Sequence, residues 1–414
     1  MNTRDNMSPR WWLYLQALFW RLLMRIGMLV HDLAWPWPPR PSFTRSFTPL
    51  NPDGTPSSSS VKLYFYCPET YLSASSSGRK RFPVVVNFHG GGFTLGRATD
   101  DARWARMVLD EVGAVFVSVD YRLAPEHPFP AAVDDGVDAL RYLAAHADEL
   151  CLDVSRVVLT GFSAGGNLAV TVPLRWRDRM VEVQKAQVEE TDIDTIHIGI
   201  DDDGKVVVDD IDIDGKEEED ESTQPLLLST TQPPQTTTKN LRIIGLFSWY
   251  PILDFILPRS HRRLTSPHPE KTLPAFLTTL FDDSYLPGHA DRSSPYASPA
   301  LAPDEILASG LPEDIFLYTC EWDMLLKEGQ HFVKRLQGLD DGDGGNGRKR
   351  RKKVRTTMIE RAPHAWDKGA VNPFWGQGRV DVLYRGACRE MRALIEEYEC
   401  DGFGDEVGGG EDVV

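Results

Sequence analysis

The stretch Val157–Val170, VVLTGFSAGGNLAV, decides how the rest of the chain is read. An apolar, β-branched run from Val157 to Thr160 leads to one serine, Ser163, and a helix-forming run extends from Ala164 to about Leu174. Glycine stands two residues before the serine, at Gly161, and two after it, at Gly165. A strand that turns into a helix this sharply drives those flanking positions against neighbouring backbone, where a Cβ does not fit. The same turn lifts a serine Oγ clear of the sheet. A glycine-rich phosphate cradle has a similar look, so the stretch alone leaves both readings open.

The segments around it narrow the choice. VVVNFHGGGFTLG places His89-Gly90-Gly91-Gly92 directly after the predicted strand Phe82–Phe88. Three glycines there present bare backbone N–H groups at a strand's carboxyl end. Acyl transfer needs such donors for the negative oxygen of its tetrahedral intermediate. A serine hydroxyl also needs a base. Of the ten histidines, His364 in ERAPHAWD stands just beyond the predicted strand Val354–Ile359. His331 falls inside a predicted helix, Lys327–Leu336, and His261, His268 and His289 lie in a Pro-rich region with no strand-end position. The base needs an orienting carboxylate. Asp323, in TCEWDMLLKEG after the predicted strand Ile315–Cys320, is favoured over Glu321 on loop length. Either one has a simpler role available as the cap of a helix starting near Leu325.

Further predicted strands are Val61–Cys67, Ala114–Val119, Arg156–Thr160 and Leu241–Trp249, with helices at Ala131 to about Ala147 and Gln377–Glu399. Continuous apolar strands alternating with helices imply an α/β fold with a mostly parallel sheet covered on both faces. Residues 51–180 and 240–400 are assigned to this catalytic domain. Residues 181–239 are acidic, then Gln-, Thr- and Pro-rich, and are read as a disordered or loosely attached insert. DDGDGGNGRKRRKKVR, Asp340–Arg355, reads as a solvated loop, and residues 401–414 as a disordered tail.

The net charge of −16 argues against a nucleic-acid partner, although much of it sits in the insert. The five cysteines are scattered and show no C-x-x-C spacing, so neither a disulfide framework nor a metal site is expected, and no cofactor is implied. A reducing, intracellular compartment follows, cytoplasmic or peripheral on a membrane. Residues 1–50 hold an apolar helix, Trp11 to about Leu29, and a Pro- and Ser-rich connector expected to be extended or irregular. Arg21 and Arg25 share one helical face in mid-helix, where a true span would bury both in hydrocarbon. The pattern fits an amphipathic helix on a surface, a membrane's or the protein's own, with both arginines in water or at headgroups; a single-pass anchor is the alternative. No small-residue cleavage site follows the apolar run, so a cleaved signal peptide is not expected.

Taken together, His89–Phe93, DYRLAPEHPFPAAVDD from Asp120, GFSAGGNLA from Gly161, SPYASPALA from Ser294, Asp323 with Leu325 and Glu328, and His364 resemble the hormone-sensitive-lipase group of α/β-hydrolases. These are H-G-G-G carboxylesterases with a helical cap. The resemblance implies Ser163 as nucleophile, His364 as base and Asp323 as acid. It also implies an oxyanion hole from the amides of Gly91, Gly92 and Ala164, and a small apolar ester as substrate. An amide or formamide deacylase, or a ligand receptor on the same fold, are the alternatives. The chain departs from the group at Phe162, where Asp is usual, at Met324 (Pro) and at Ala365 (Gly). The first two imply altered surroundings for the triad. The group's cap combines an N-terminal segment with one corresponding here to about Asp254–Pro303.

Overall fold

The computed structural model describes residues 8–51, 55–71, 73, 80–193, 198–200, 206–208, 240–288, 290–339, 352–368 and 377–401. Most of the predicted insert, the basic run up to Arg351, His289 and the tail beyond Asp401 lie outside the described residues. The chain divides into two compact units, Met1–Arg177 with Thr238–Val414, and Asp178–Thr237.

In chain order the elements are α1 (Arg10–Leu33), β1 (Phe43–Phe47), β2 (Val61–Tyr66), β3 (Phe82–Phe88), α2 (Ala102–Glu111), β4 (Val115–Asp120), α3 (Ala131–Ala145), β5 (Leu152–Phe162) and α4 (Ala164–Ile193). They continue with β6 (Ile198–Ile200), β7 (Val206–Val208), β8 (Ile243–Trp249), α5 (Arg259–Thr265), α6 (Ala275–Tyr285), α7 (Asp304–Gly310), β9 (Asp314–Cys320), α8 (Leu326–Gln337), β10 (Lys353–Ile359) and α9 (Gln377–Asp401). The second unit contains the end of α4 and the antiparallel pair β6–β7.

Eight strands form one sheet in the order β1-β2-β4-β3-β5-β8-β9-β10. Only the β1–β2 and β2–β4 pairs are antiparallel. This is the mostly parallel α/β sheet that the strand patterning predicts. Alternation along β3 shows how it is covered: Val84 and Val86 join the core under α3 and α4, with Val137 and Val172. Val85 joins the opposite core with Trp104 of α2 and Met391 of α9. A strand buried on both faces is apolar at nearly every position; the exception in β3, Asn87, donates to Asp101 and Ser118 at 2.8 and 3.1 Å.

The connector, expected to be extended or irregular, contains a strand, β1, which pairs Phe43 through Phe47 with β2 and stacks Phe43 on Phe65. The helix that begins after Ser163 continues to Ile193. One expectation is corrected. Arg21 does not project into water. Its guanidinium donates to the carbonyls of Thr94 and Ala124 at 2.8 Å each and forms a forked pair with the Glu126 carboxylate at 2.7 and 2.8 Å. That fork ties the middle of α1 to the loops beside the H-G-G-G segment.

Candidate active site

Four parallel strands, β3, β5, β9 and β10, end at the same edge of the sheet, and the loop after each carries one component to a common point. β5 ends at Phe162, and Ser163 follows in the left-handed region with φ 56°. A non-glycine residue there costs roughly 1–2 kcal/mol. The turn is held because the Ser163 amide donates to the Trp249 carbonyl at 2.8 Å. The flanking glycines are steric necessities: a Cβ at Gly165 would collide with the Phe88 and His89 carbonyls, and one at Gly161 with the Gly165 carbonyl.

β10 ends at Ile359, and the loop after it carries His364. Its Nε2 lies 2.8 Å from Ser163 Oγ. His364 Nδ1 lies 2.6 Å from Asp323 Oδ2, and Asp323 follows the end of β9. Asp323 is 2% exposed, so its charge is shielded from water and aimed at one partner. Its other oxygen, Oδ1, accepts from the Leu325 amide at 3.1 Å. Glu321, the rival carboxylate, instead accepts from the Arg361 amide at 2.5 Å. His331 sits on an exposed position of α8. Among the described residues, none accepts a hydrogen bond from the Gly91, Gly92 or Ala164 amide. These three donors are positioned in the loop after β3 and at the start of α4.

Two cavities flank Ser163. A larger one of about 180 Å³ is lined by Met24, Met28, Leu95, Leu277, Phe162 and Tyr250. A small one of about 20 Å³ lies against Ile252, Phe255, Met324, Leu325 and Phe281. Met24 and Met28 belong to α1, and Leu277 and Phe281 to α6, so these two helices roof the site. They also touch directly, with Trp20 stacked on Phe276 at 5.2 Å between ring centroids. Among the described residues there is no cluster of three metal-ligating side chains.

Two of the departures from the usual pattern, Phe162 and Ala365, have visible structural consequences. Phe162 is fully buried, stacks on Trp249, and lies under the Lys368 ammonium at 3.8 Å. Lys368 is paired with Asp101 at 2.5 Å and with Asp367 at 3.3 Å. Burial works to raise Asp367, but Lys368 and the hydroxyls of Tyr250 and Tyr384, each 2.5 Å away, hold it below the usual carboxylate range. The Tyr250 ring in turn packs edge-on against His364. A cation over an aromatic face thus stands where an acid is usual, and fastens the histidine loop to the elbow. Ala365 has φ 54°, in the region that favours glycine. Ala365→Gly relieves about 1–2 kcal/mol of strain and gives back about 0.4–1 kcal/mol in unfolded-chain entropy. A small rise in Tm by scanning calorimetry is the expected result, and a fall would show that the methyl group packs usefully.

Sequence reasoning matched segments whose partnership only the fold explains. Asn167, fully buried on α4, donates to the Ile252 and Ala297 carbonyls at 2.8 and 2.9 Å, joining the elbow to SPYASPALA. In DYRLAPEHPFPAAVDD, Arg122 forks onto the buried Asp135 carboxylate at 2.7 and 2.9 Å. An amide or an acid inside an apolar helical run was the available signal for both.

The sequence profile of the alpha/beta hydrolase fold matches residues 85–189 and 226–365, more than half of the chain. The chain belongs to the alpha/beta hydrolase fold family. Its motifs place it in the H-G-G-G carboxylesterase group of that family. Among curated proteins it is similar to "Esterase LipI" of Mycobacterium tuberculosis, 45% identical over 96 residues, which are 23% of this chain and 30% of the relative. It is 39% identical to "Carboxylesterase 20" of Arabidopsis thaliana over 31% of this chain and 41% of that one. "Arylacetamide deacetylase-like 2" of Homo sapiens is 28% identical over 65% of this chain and 66% of the relative. The chain thus spans about a third of the length of the bacterial relative and two fifths of the plant one. Among solved structures, the hyperthermophilic esterase of the archaeon Pyrobaculum calidifontis superposes with a TM-score of 0.61 at 23% identity, covering 94% of this chain and 98% of that one. A thermostable esterase from Pseudomonas putida gives 0.61 at 20% identity, covering 95% and 94%. At these identities the superpositions show the fold.

Proposed function

We propose that the chain is a serine hydrolase that cleaves carboxylic esters through an acyl-enzyme. The observation that carries this is the continuous relay from Ser163 Oγ to His364 Nε2 and from His364 Nδ1 to Asp323. Ser163 Oγ attacks the ester carbonyl while His364 takes its proton. The carbonyl oxygen becomes an oxyanion facing the Gly91, Gly92 and Ala164 amides. Collapse expels the alcohol, which takes the proton from His364 and leaves the acyl group on Ser163. Water then attacks the acyl carbon, giving its proton to His364, and the acid leaves as the proton returns to Ser163. Asp323 keeps the imidazole in the tautomer that accepts at Nε2 and stabilises the imidazolium.

The unequal cavities support an ester with one short side and one longer apolar side. A fluorophosphonate probe is expected to label Ser163, and p-nitrophenyl esters from acetate to palmitate are expected to be hydrolysed with a clear length preference. Absence of both labelling and turnover would sink the proposal and favour a ligand-binding role. The human relative's name gives a specific reason to test a second substrate class, so an acetanilide belongs in the same series. Faster turnover of the amide than of its matched ester would make the deacylase reading the better one.

A further inference from the structure

Helix α1 faces two ways. Leu13, Ala17 and His31 are buried against the body, with Trp20, Arg21, Met24 and Met28 half-buried along the same stripe. The opposite side is exposed and wholly apolar. With about 100° of rotation per residue, positions from Leu18 through Trp11, Leu22, Leu15, Ile26 and Phe19 to Leu23 fill an arc of about 140° without a polar side chain. Leu22 is 57% exposed and Leu29 61% exposed, values that a helix docked only on its own protein would not show on so wide a face.

Three observations select the occupant. First, exposed tryptophans flank the helix. Trp11 and Trp12 open the helix, and Trp35 and Trp37, 83% and 70% exposed, follow it. Tryptophan prefers the depth of lipid headgroups. Second, charge is segregated. The first fifty residues carry six arginines and two aspartates in a chain whose net charge is −16. A basic, apolar helix on an acidic protein is complementary to an anionic lipid surface. Third, the arc is too wide for a second copy. A helix–helix seam covers about two positions in seven, leaving much of this face wet, whereas a flat apolar medium covers it whole. A span is also disfavoured, although α1 is long and apolar enough to cross a membrane. Crossing would break the four Arg21 hydrogen bonds to the body, and Arg10 donation to the Pro125 carbonyl, and would put Arg21 and Arg25 in hydrocarbon.

We propose that α1 lies in the plane of an anionic lipid interface, its outer face in lipid and its inner face roofing the cavity at Ser163. Met24 and Met28, one side of α1, line that cavity, so docking sets its mouth beside the bilayer. The test uses the full chain with vesicles of phosphatidylcholine with and without phosphatidylserine. The wild type is expected to sediment with the anionic vesicles, less so in high salt, and to be released by alkaline carbonate. Trp11→Ser/Leu22→Ser/Ile26→Ser is expected to lower sedimentation at least tenfold while keeping its Tm and its hydrolysis of a soluble p-nitrophenyl ester. Wild type that stays in the supernatant overturns the proposal. So does resistance to carbonate, which indicates a span, and so does a wild-type dimer by light scattering that the triple variant converts to monomer. If the triple variant fails to fold, Ile26→Gln alone takes its place, with a loss of sedimentation still required. The vesicle readout does not depend on the esterase reading.

Discussion

Ser163→Ala is expected to lower kcat on a short p-nitrophenyl ester by about 10⁴- to 10⁶-fold with little change in KM. In the proposed mechanism Ser163 Oγ forms the bond that defines the intermediate, and His364 Nε2, 2.8 Å away, takes its proton. His364→Ala is expected to cost as much, and the double variant no more than either single one, because the two act as one unit. Asp323→Asn keeps the shape of the relay but favours the wrong imidazole tautomer, and a loss of about 10⁴-fold is expected. Residual turnover above the uncatalysed rate would come from substrate binding and the three loop amides. Steady-state kinetics with active-site titration check all of these. A His364→Ala variant within tenfold of wild type would remove His364 from the role of base. His331 could not then replace it without rearrangement, because it faces solvent on α8.

The strands next to the site were readable because burial on both faces leaves little freedom of composition. Phe82–Phe88 is predicted and found with the same ends. Arg156–Thr160 is predicted, yet β5 starts at Leu152, because Asp153 and Ser155 face outward and interrupt the apolar run. β1 was hidden by its neighbours: FTRSF alternates, but it sits among prolines and serines and is only half-buried at the sheet edge. Helix α2 carried a signal that went unused, with Ala102, Ala105 and Val108 spaced for one buried face around Trp104.

The site itself was legible to the level of candidates. Strand-end position separates His364 from His261, His268, His289 and His331. Loop length favours Asp323 over Glu321, but what decides is which of them meets a loop about forty residues further along the chain, and the spacing does not show that contact. Arg21 was misread for a related reason. A mid-helix arginine looks solvated or snorkelling when the sequence shows the helix and not the carbonyls of Thr94 and Ala124 that receive it.

At about pH 8, where the carboxyl is ionised, Glu328→Ala is expected to destabilise the fold by about 3–5 kcal/mol, the usual cost of removing one partner of a buried ion pair. Glu328 lies in the first turn of α8, three residues beyond Leu325, whose amide holds Asp323. Its Oε1 accepts from the Leu253 amide at 2.7 Å, and its Oε2 lies 2.9 Å from Arg262 Nη1. Arg262 also donates to the Leu257 carbonyl, so one charge pair ties α5 and the segment after β8 to the base of the acid loop. Removing the carboxylate strands a guanidinium that is 2% exposed. Burial pushes Glu328 up to about 7 from an ordinary 4.5, against the opposing pull of Arg262. The folded state therefore binds this proton more tightly than the unfolded state does. The stabilisation linked to it is complete below about pH 4.5 and is lost as pH rises through about 7. Glu328→Gln mimics the protonated acid and keeps an acceptor for Leu253. It is expected to lie close to wild type at pH 5 and to lose this part of the decline between pH 5 and 8. Urea melts across that range decide the matter: an unchanged pH slope in Glu328→Gln would show that the carboxyl is ionised throughout and that the Arg262 pair, not burial, sets its state.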